Sequence, residues 1–419
     1  MARFFILLMH PIPCLKPSFI TSILLLMPIS FNTILLLLLL GCSSRENKTV
    51  VAPKTTSSVP QNNSKLPLDK IKLPPGFKIA LYAEGVKNAR SLSLSPKGTL
   101  FVSTRNEGNV YALRDTNNDH RADQIFTLAK NLNTPNGVAF HKGDLYVAEI
   151  NRILRYKNIE MCIDALARGE TSCAAPVTVY DQYPTEQDHG WKYIAFGPDG
   201  KLYIPVGAPC NNCESEKPIF ASITRLDVEK PGAKPEIIAT GIRNTVGFDW
   251  HPTTGELWFT ENGRDMMGDE VPPCEINRIT KTGLNFGYPY CHGGNLPDPE
   301  FGNKRPCSEF TAPVQNLGPH VAPLGMEFYS GKMFPNMYKN QILIAEHGSW
   351  NRASKIGYRI TMVKLDAQGK SLGYSTFAEG WLENESAWGR PVDLEQLPDG
   401  SLLISDDKAD AIYRVWYEG

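Results

Sequence analysis

The sequence predicts an all-β protein, a six-bladed β-propeller of four-stranded antiparallel blades. Three observations predict it. One strand-rich pattern recurs six times between residues 91 and 417. Within each copy, apolar alternation of period two is broken by a short Gly- or Pro-containing turn. No sustained period of 3.6 appears, so long helices are not expected.

The copies begin at Ser91 (SLSLSPKGTLFVST), Gly137 (GVAFHKGDLYVAEI) and Tyr193 (YIAFGPDGKLYIPVG). They continue at Gly247 (GFDWHPTTGELWFTENG), Gly325 (GMEFYSG, then QILIAEHG) and Val392 (VDLEQLPDGSLLISDD). Each is followed by a further apolar strand such as NVYALRD or AIYRVWYE. A sheet of this size cannot bury its face alone. Six of them stacked around an axis cover both faces and most edges. A β-sandwich is the competing arrangement, but it has no need of six matched hairpins. The long insertions, 157–190 and 282–324, are expected at one end of the ring, where propeller loops build sites.

The segment before the repeats divides in two. Arg3 precedes a very apolar stretch that ends Leu39-Leu40-Gly41-Cys42-Ser43-Ser44. This reads as a secretory signal over residues 1–42, with a lipobox and Cys42 as the acylated residue. Prolines at 11, 13, 17 and 28 count against a continuous membrane span. Residues 43–69 are rich in Ser, Thr, Asn, Lys and Pro and read as a flexible tether. The propeller is then expected over 70–419, in a lipoprotein of the cell envelope, periplasmic or on the outer surface. Seven cysteines follow Cys42, and in an exported chain they read as disulfides. The nearest pairs are Cys162/Cys173, Cys210/Cys213 and Cys291/Cys307, with Cys274 left over.

Composition excludes several classes. The net charge of −1 and the lack of any like-charge block give nucleic acid nothing to bind. Cys210-Asn211-Asn212-Cys213 is followed by Glu214, where haem attachment needs His. No second ligand pair follows at zinc-finger spacing. There is neither a GxGxxG opening a helix nor a GxSxG elbow.

A few polar segments suit chemistry. His189, in Asp188-His189-Gly190-Trp191, is the residue type best matched to taking a hydroxyl proton near neutral pH. Asp188 beside it is expected to orient or support the ring. Arg243-Asn244 offers a guanidinium for a carboxylate or a developing oxyanion. Glu261-Asn262-Gly263-Arg264, with Asp269-Glu270 beyond, is rich in the hard oxygen donors that calcium prefers. Asp115, Asn117, Asp119 and Asp123 have calcium-loop spacing but lack the glycine and distal glutamate of an EF-hand, so an inter-blade turn that holds structural calcium is the expectation there.

Together these segments resemble the PQQ-dependent glucose/sorbosone dehydrogenase family, in order, over about residues 70–419. The step from Asp188-His189 to the strand Gly197-Pro198-Asp199-Gly200-Lys201-Leu202-Tyr203 is similar to the family's catalytic segment. The resemblance implies that His189, with Asp188 at its side, takes the proton from the sugar C1 hydroxyl while hydride passes to PQQ. Gly241-Ile242-Arg243-Asn244 is similar to the family's G-x-R-N. There the Arg contacts the reactive quinone oxygen and the Asn binds the cofactor. Asn262 stands in a turn whose carbonyls hold the catalytic calcium, which implies Gly263, Arg264, Asp269 and Glu270 as its metal segment. Pro319-His320-Val321-Ala322-Pro323 aligns with a segment beside the cofactor, implicating His320. The stretch His347–Arg352 and Gly389-Arg390-Pro391 look like the sorbosone branch, implying Arg352 and Arg390 as cofactor cations, and Arg90 opens blade one at a site-facing position.

The implied chemistry is coherent. PQQ is a tricarboxylate and needs several cations. Ca²⁺ would act on its quinone carbonyl as a Lewis acid. The partners implied are a small sugar or aldehyde and an external electron acceptor, a quinone or cytochrome, with the membrane reached through the lipid anchor alone. Two other readings fit the same fold: a non-catalytic propeller that binds carbohydrate or a partner, and a calcium-dependent lactonase. The lactonase needs a ring of inward acids on one metal, where this chain places cations.

Overall fold

The computed structural model describes residues 66–171 and 173–419. Cys42 and most of the expected tether lie outside the described residues. Leu66 and Leu68, at the end of that stretch, pack against the core of the last blade.

Six antiparallel sheets follow one another in chain order. The first four span 89–129, 137–180, 195–240 and 248–319, and the fifth spans 323–379. The sixth is built differently. Its three inner strands are Pro391–Gln396, Leu402–Asp406 and Ala411–Tyr417, and its outer strand is Phe77–Glu84 from the other end of the chain. The register sets Phe77 opposite Tyr417 and Leu81 opposite Tyr413. This pairing ties the segment that leads into blade one to the last blade and so closes the ring. Phe77 anchors it, with Phe334, Tyr338, Phe377 and Tyr417 at ring-centroid distances of 4.7 to 5.2 Å. Truncating such a residue costs about 3 kcal/mol or more.

The expected inner strands are the observed ones. Four of their hairpins turn on a glycine with φ between +69° and +90° (Gly98, Gly200, Gly255, Gly400), a conformation that favours glycine. Glycine serves a second purpose at the axis, where blades converge. A Cβ on Gly247 would stand 2.1 Å from the Leu324 carbonyl oxygen, and one on Gly325 would stand 2.1 Å from Asp393 Oδ1. The repeat motif opens on glycine at these positions because neighbouring backbones leave no room for more.

Each inner strand is also an edge strand, with N–H groups lacking a ladder partner. Side chains from the preceding blade accept them. Phe140 N donates to Ser93 Oγ at 2.9 Å, Phe328 N to Asp249 Oδ2 at 2.8 Å and Leu92 N to Asp393 Oδ2 at 2.9 Å. Side-chain acceptors thus staple blade to blade around the axis.

The insertions carry the remaining structure. A helix, Ile159–Ala167, leaves blade two and is tied down by the Cys162–Cys173 disulfide. Its buried Glu160 takes Arg114 Nη2 at 2.7 Å and Thr99 Oγ1 at 3.0 Å. Cys210–Cys213 and Cys291–Cys307 are also bonded, and Cys274 is free and buried. The Asp115–Asp123 turn closes on itself. Asp115 accepts the N–H groups of Asp119 and His120, and Asp123 accepts those of Thr116, so the carboxylates serve the turn's own backbone.

Candidate active site

One cavity of about 330 Å³ opens where the inner strands begin and the second strands end. It gathers residues from separate repeats: Arg90 and Arg105 from blade one, His189 and Trp191 ahead of blade three, Arg243 and Asn244 ahead of blade four. Asn262, Gly263 and Asp265 come from blade four, His320 from the approach to blade five, and His347 and Arg390 close the ring.

His189 is held by backbone. Its Nδ1 lies 2.8 Å from the Ala208 carbonyl, so Nδ1 carries the proton and Nε2 is the acceptor. The residue has φ +49°, and a Cβ on Gly207 would fall 2.5 Å from the His189 Cβ. Gly207 therefore lets the ring sit where it does. Burial, then the nearby Arg243 charge, pushes the imidazole pKa down to about 4. The ring is neutral at neutral pH and able to take a proton. Asp188 is exposed and its charge favours the protonated ring, while the Ala208 carbonyl is the group that orients it.

Arg243 is buried and fully engaged. Nε donates to the Asn211 carbonyl at 2.9 Å, and Nη2 reaches Asn211 Oδ1 at 2.9 Å and Asp265 Oδ2 at 3.1 Å. Nη1 donates to the carbonyls of Asn262 at 3.3 Å and Gly263 at 3.1 Å. Asn211 sits inside the Cys210–Cys213 loop, so that disulfide positions the arginine. The Arg243 main-chain N–H donates to Glu261 Oε1 at 2.6 Å. Burial and the neighbouring Glu275 push the Glu261 carboxyl up to about 8. Asn262 bridges blades, its Nδ2 donating to the carbonyls of Asn244 at 3.1 Å and Pro323 at 2.9 Å. His320 lines the cavity with Nε2 2.7 Å from the Gly268 carbonyl.

Arg90 is 1% exposed, donating to Asn136 Oδ1 and Asp407 Oδ2, both at 2.9 Å. Arg390 donates to the carbonyls of His347 at 3.0 Å and Gly348 at 2.8 Å. Both line the cavity as expected.

Five expected residues do not line it, Asp188 among them. Arg352 turns away, donating to the Asp269 carbonyl at 3.0 Å and pairing with Glu270. That contact also engages Asp269 and Glu270, the expected metal ligands. Arg264 is buried on Asp298 at 2.7 Å and Glu300 at 3.3 Å. Among the described residues, no group of three or more His, Cys, Asp or Glu is arranged to hold a metal ion.

Among the cavity residues that the sequence reading did not assign to the site are Arg105, Trp191, His347 and Asp265. His347 Nε2 pairs with Asp407 Oδ1 at 2.8 Å, and burial pushes that imidazole down to about 4. A signal for two of them was present. In every repeat the residues just past the second strand reach the same end of the ring, and aligning the copies on that strand sets Arg105 with Asn262 and His347.

The geometry suits a flat polyanion held among guanidinium groups, beside a neutral base. A sequence model of the family described as Glucose / Sorbosone dehydrogenase matches residues 86–414. An uncharacterised protein of Borreliella burgdorferi is 36% identical over 355 residues, covering 83% of this chain and 91% of that one. A pyrroloquinoline quinone-dependent pyranose dehydrogenase of Coprinopsis cinerea is 23% identical over 401 residues. That match covers 81% of this chain and 54% of the relative, so this chain spans about half of the relative's length. Among solved structures, a Trichoderma reesei protein of Carbohydrate-Active Enzymes Family AA12 superposes with TM-score 0.71 at 20% identity, covering 83% of this chain and 98% of the other. The holo pyranose dehydrogenase PQQ domain of Coprinopsis cinerea gives TM-score 0.68 at 18% identity, covering 83% and 97%. The two structural matches speak for the fold.

Proposed function

The chain belongs to the glucose/sorbosone dehydrogenase family, and from that premise we propose that it is a quinoprotein oxidoreductase that oxidises an aldose or related aldehyde at C1, with PQQ as cofactor and His189 as general base. The observation that carries the reading is the cavity itself: four guanidinium groups, from Arg90, Arg105, Arg243 and Arg390, surround one space that a neutral, backbone-oriented imidazole also lines.

The residues present fit PQQ. Its carboxylates match guanidinium forks. Two buried polar atoms of the cavity wall, Trp191 Nε1 and Asn351 Oδ1, have no hydrogen-bond partner among the described residues. When bound, PQQ supplies the two-electron, hydride-accepting chemistry. The chain's own work is then to hold the substrate so that its C1 hydroxyl meets His189 Nε2, and to take that proton. The Ala208 carbonyl and the Asn211 loop keep His189 and Arg243 in fixed relation. The Cys274 thiol, in the cavity wall, is pushed up to about 12 by burial and stays protonated.

Calcium fits less well. Gly263 offers a cavity-facing carbonyl, but Arg243 already donates to it, and Asp269 and Glu270 are engaged by Arg352. Electrons leave to an external acceptor.

The test is reconstitution of the purified protein with PQQ, with and without Ca²⁺. Cofactor absorbance and dye reduction are followed over a panel of aldoses and aldehydes. The reading expects stoichiometric uptake and turnover of at least one aldose. Absence of both would overturn it.

A further inference from the structure

Three of the four cavity arginines are committed inside the protein: Arg90 to Asn136 and Asp407, Arg243 to Asn211, Asp265 and two carbonyls, Arg390 to two carbonyls. Arg105 is not. Its main-chain N–H donates to Asn88 Oδ1 at 2.9 Å, but its guanidinium makes no hydrogen bond or ion pair with any described residue. It sits over the Trp191 ring, with Cζ 3.8 Å from the centroid. Burial, then the Arg90 charge, with Arg390 also contributing, pushes its pKa down to about 10, while Asp407 opposes them.

A half-buried guanidinium among like charges, with its donors unused, is poorly satisfied unless an anion joins it. The planar fork matches a carboxylate through two parallel hydrogen bonds. Stacking on an aromatic face fixes the plane and leaves the N–H edges free. The surface alternative, an arginine simply in water, does not account for its position in the cavity wall.

We propose that Arg105, braced on Trp191, is the docking point for a ligand carboxylate in this cavity. The inference rests on the reading above, in which the cavity takes PQQ and a sugar. Either ligand can bring the group: a carboxylate of the cofactor, or the C6 carboxylate of an acidic sugar.

The experiment compares the native protein with Arg105→Gln and Arg105→Lys. PQQ affinity is measured by tryptophan fluorescence, the thermal midpoint with and without citrate, and kcat/KM for a uronic acid against its neutral aldose. If the carboxylate is the cofactor's, Arg105→Gln weakens PQQ by about tenfold or more, and Arg105→Lys falls between, because charge survives but the fork does not. If it is the sugar's, PQQ affinity holds and the uronate-to-aldose ratio falls by about tenfold. PQQ affinity and the uronate-to-aldose ratio within twofold of native, with an unchanged citrate shift of the midpoint, would overturn the proposal. Should Arg105→Gln not fold, Arg105→Lys carries the same comparison. If the native chain takes up no PQQ, the cofactor reading fails by itself and citrate decides: a stabilisation lost in the variant supports the carboxylate site, and equal stabilisation overturns it.

Discussion

Two groups of charged residues mark the inner end of the blades, one at the cavity, where Arg105 stands just past a second strand, and one further along the inner strands. At the cavity stand Arg90, Arg105, Arg243 and Arg390. Further along the strands, Asp249, Glu327, Asp393 and Glu395 crowd the axis. Burial pushes both groups toward neutrality, but they start from different places. Arginine begins so far above neutral pH that Arg105, at about 10, is still a cation. The carboxyls begin near 4. Burial raises Asp249 to about 6 and, aided by repulsion from neighbouring carboxyls, raises Asp393 to about 7, Glu395 to about 8 and Glu327 well upward. The same desolvation therefore leaves one region charged and able to attract an anion. It leaves the other only partly ionised at neutral pH, and its oxygens serve as blade-to-blade acceptors.

Three substitutions probe this contrast. The largest effect is expected at the cavity. With PQQ bound, His189→Ala should lower kcat by about 10²- to 10⁴-fold while leaving PQQ affinity nearly intact. Because the base titrates near pH 4, native kcat/KM should be flat from about pH 5.5 to 8. A rise centred near 6.5 would show a solvated ring and break the cavity side of the comparison.

The axis is probed by pH. Its carboxyls bind protons more tightly folded than unfolded. Their contribution to stability is thus full at low pH and lost as pH rises through about 6 to 8. Asp393→Asn keeps an acceptor for the Leu92 N–H and removes one titration. Urea unfolding should show a pH 5 to 8 decline smaller than native by about 1–2 kcal/mol. An unchanged slope would mean that Asp393 is ionised in the fold. The smallest effect is expected outside both regions. Arg352→Ala should leave PQQ affinity within about twofold and cost under about 1 kcal/mol, as for an exposed ion pair. A tenfold loss of PQQ would move Arg352 back into the cavity.

The parts legible in the sequence were those with local causes. Turn glycines, strand alternation and the six-fold recurrence are visible because period and turn chemistry act within a dozen residues. His189, Arg243 and Asn262 were found because short motifs surround them. Arg352 was misplaced for the converse reason. Neighbouring residues in a loop can face opposite ways, and Arg352 found Glu270 on another loop while Arg105 reached the cavity.

By itself, the sequence determined the blade count, the inner strands, the turns and the segment that carries His189. Each follows from spacing along the chain. The tertiary structure alone decided that Phe77–Glu84 closes the ring against Ala411–Tyr417, that a carbonyl of Ala208 orients His189, and that Arg105 is left with its donors free. Those depend on contacts between residues far apart in sequence. No local pattern encodes which of several arginines finds a partner and which is left facing the cavity.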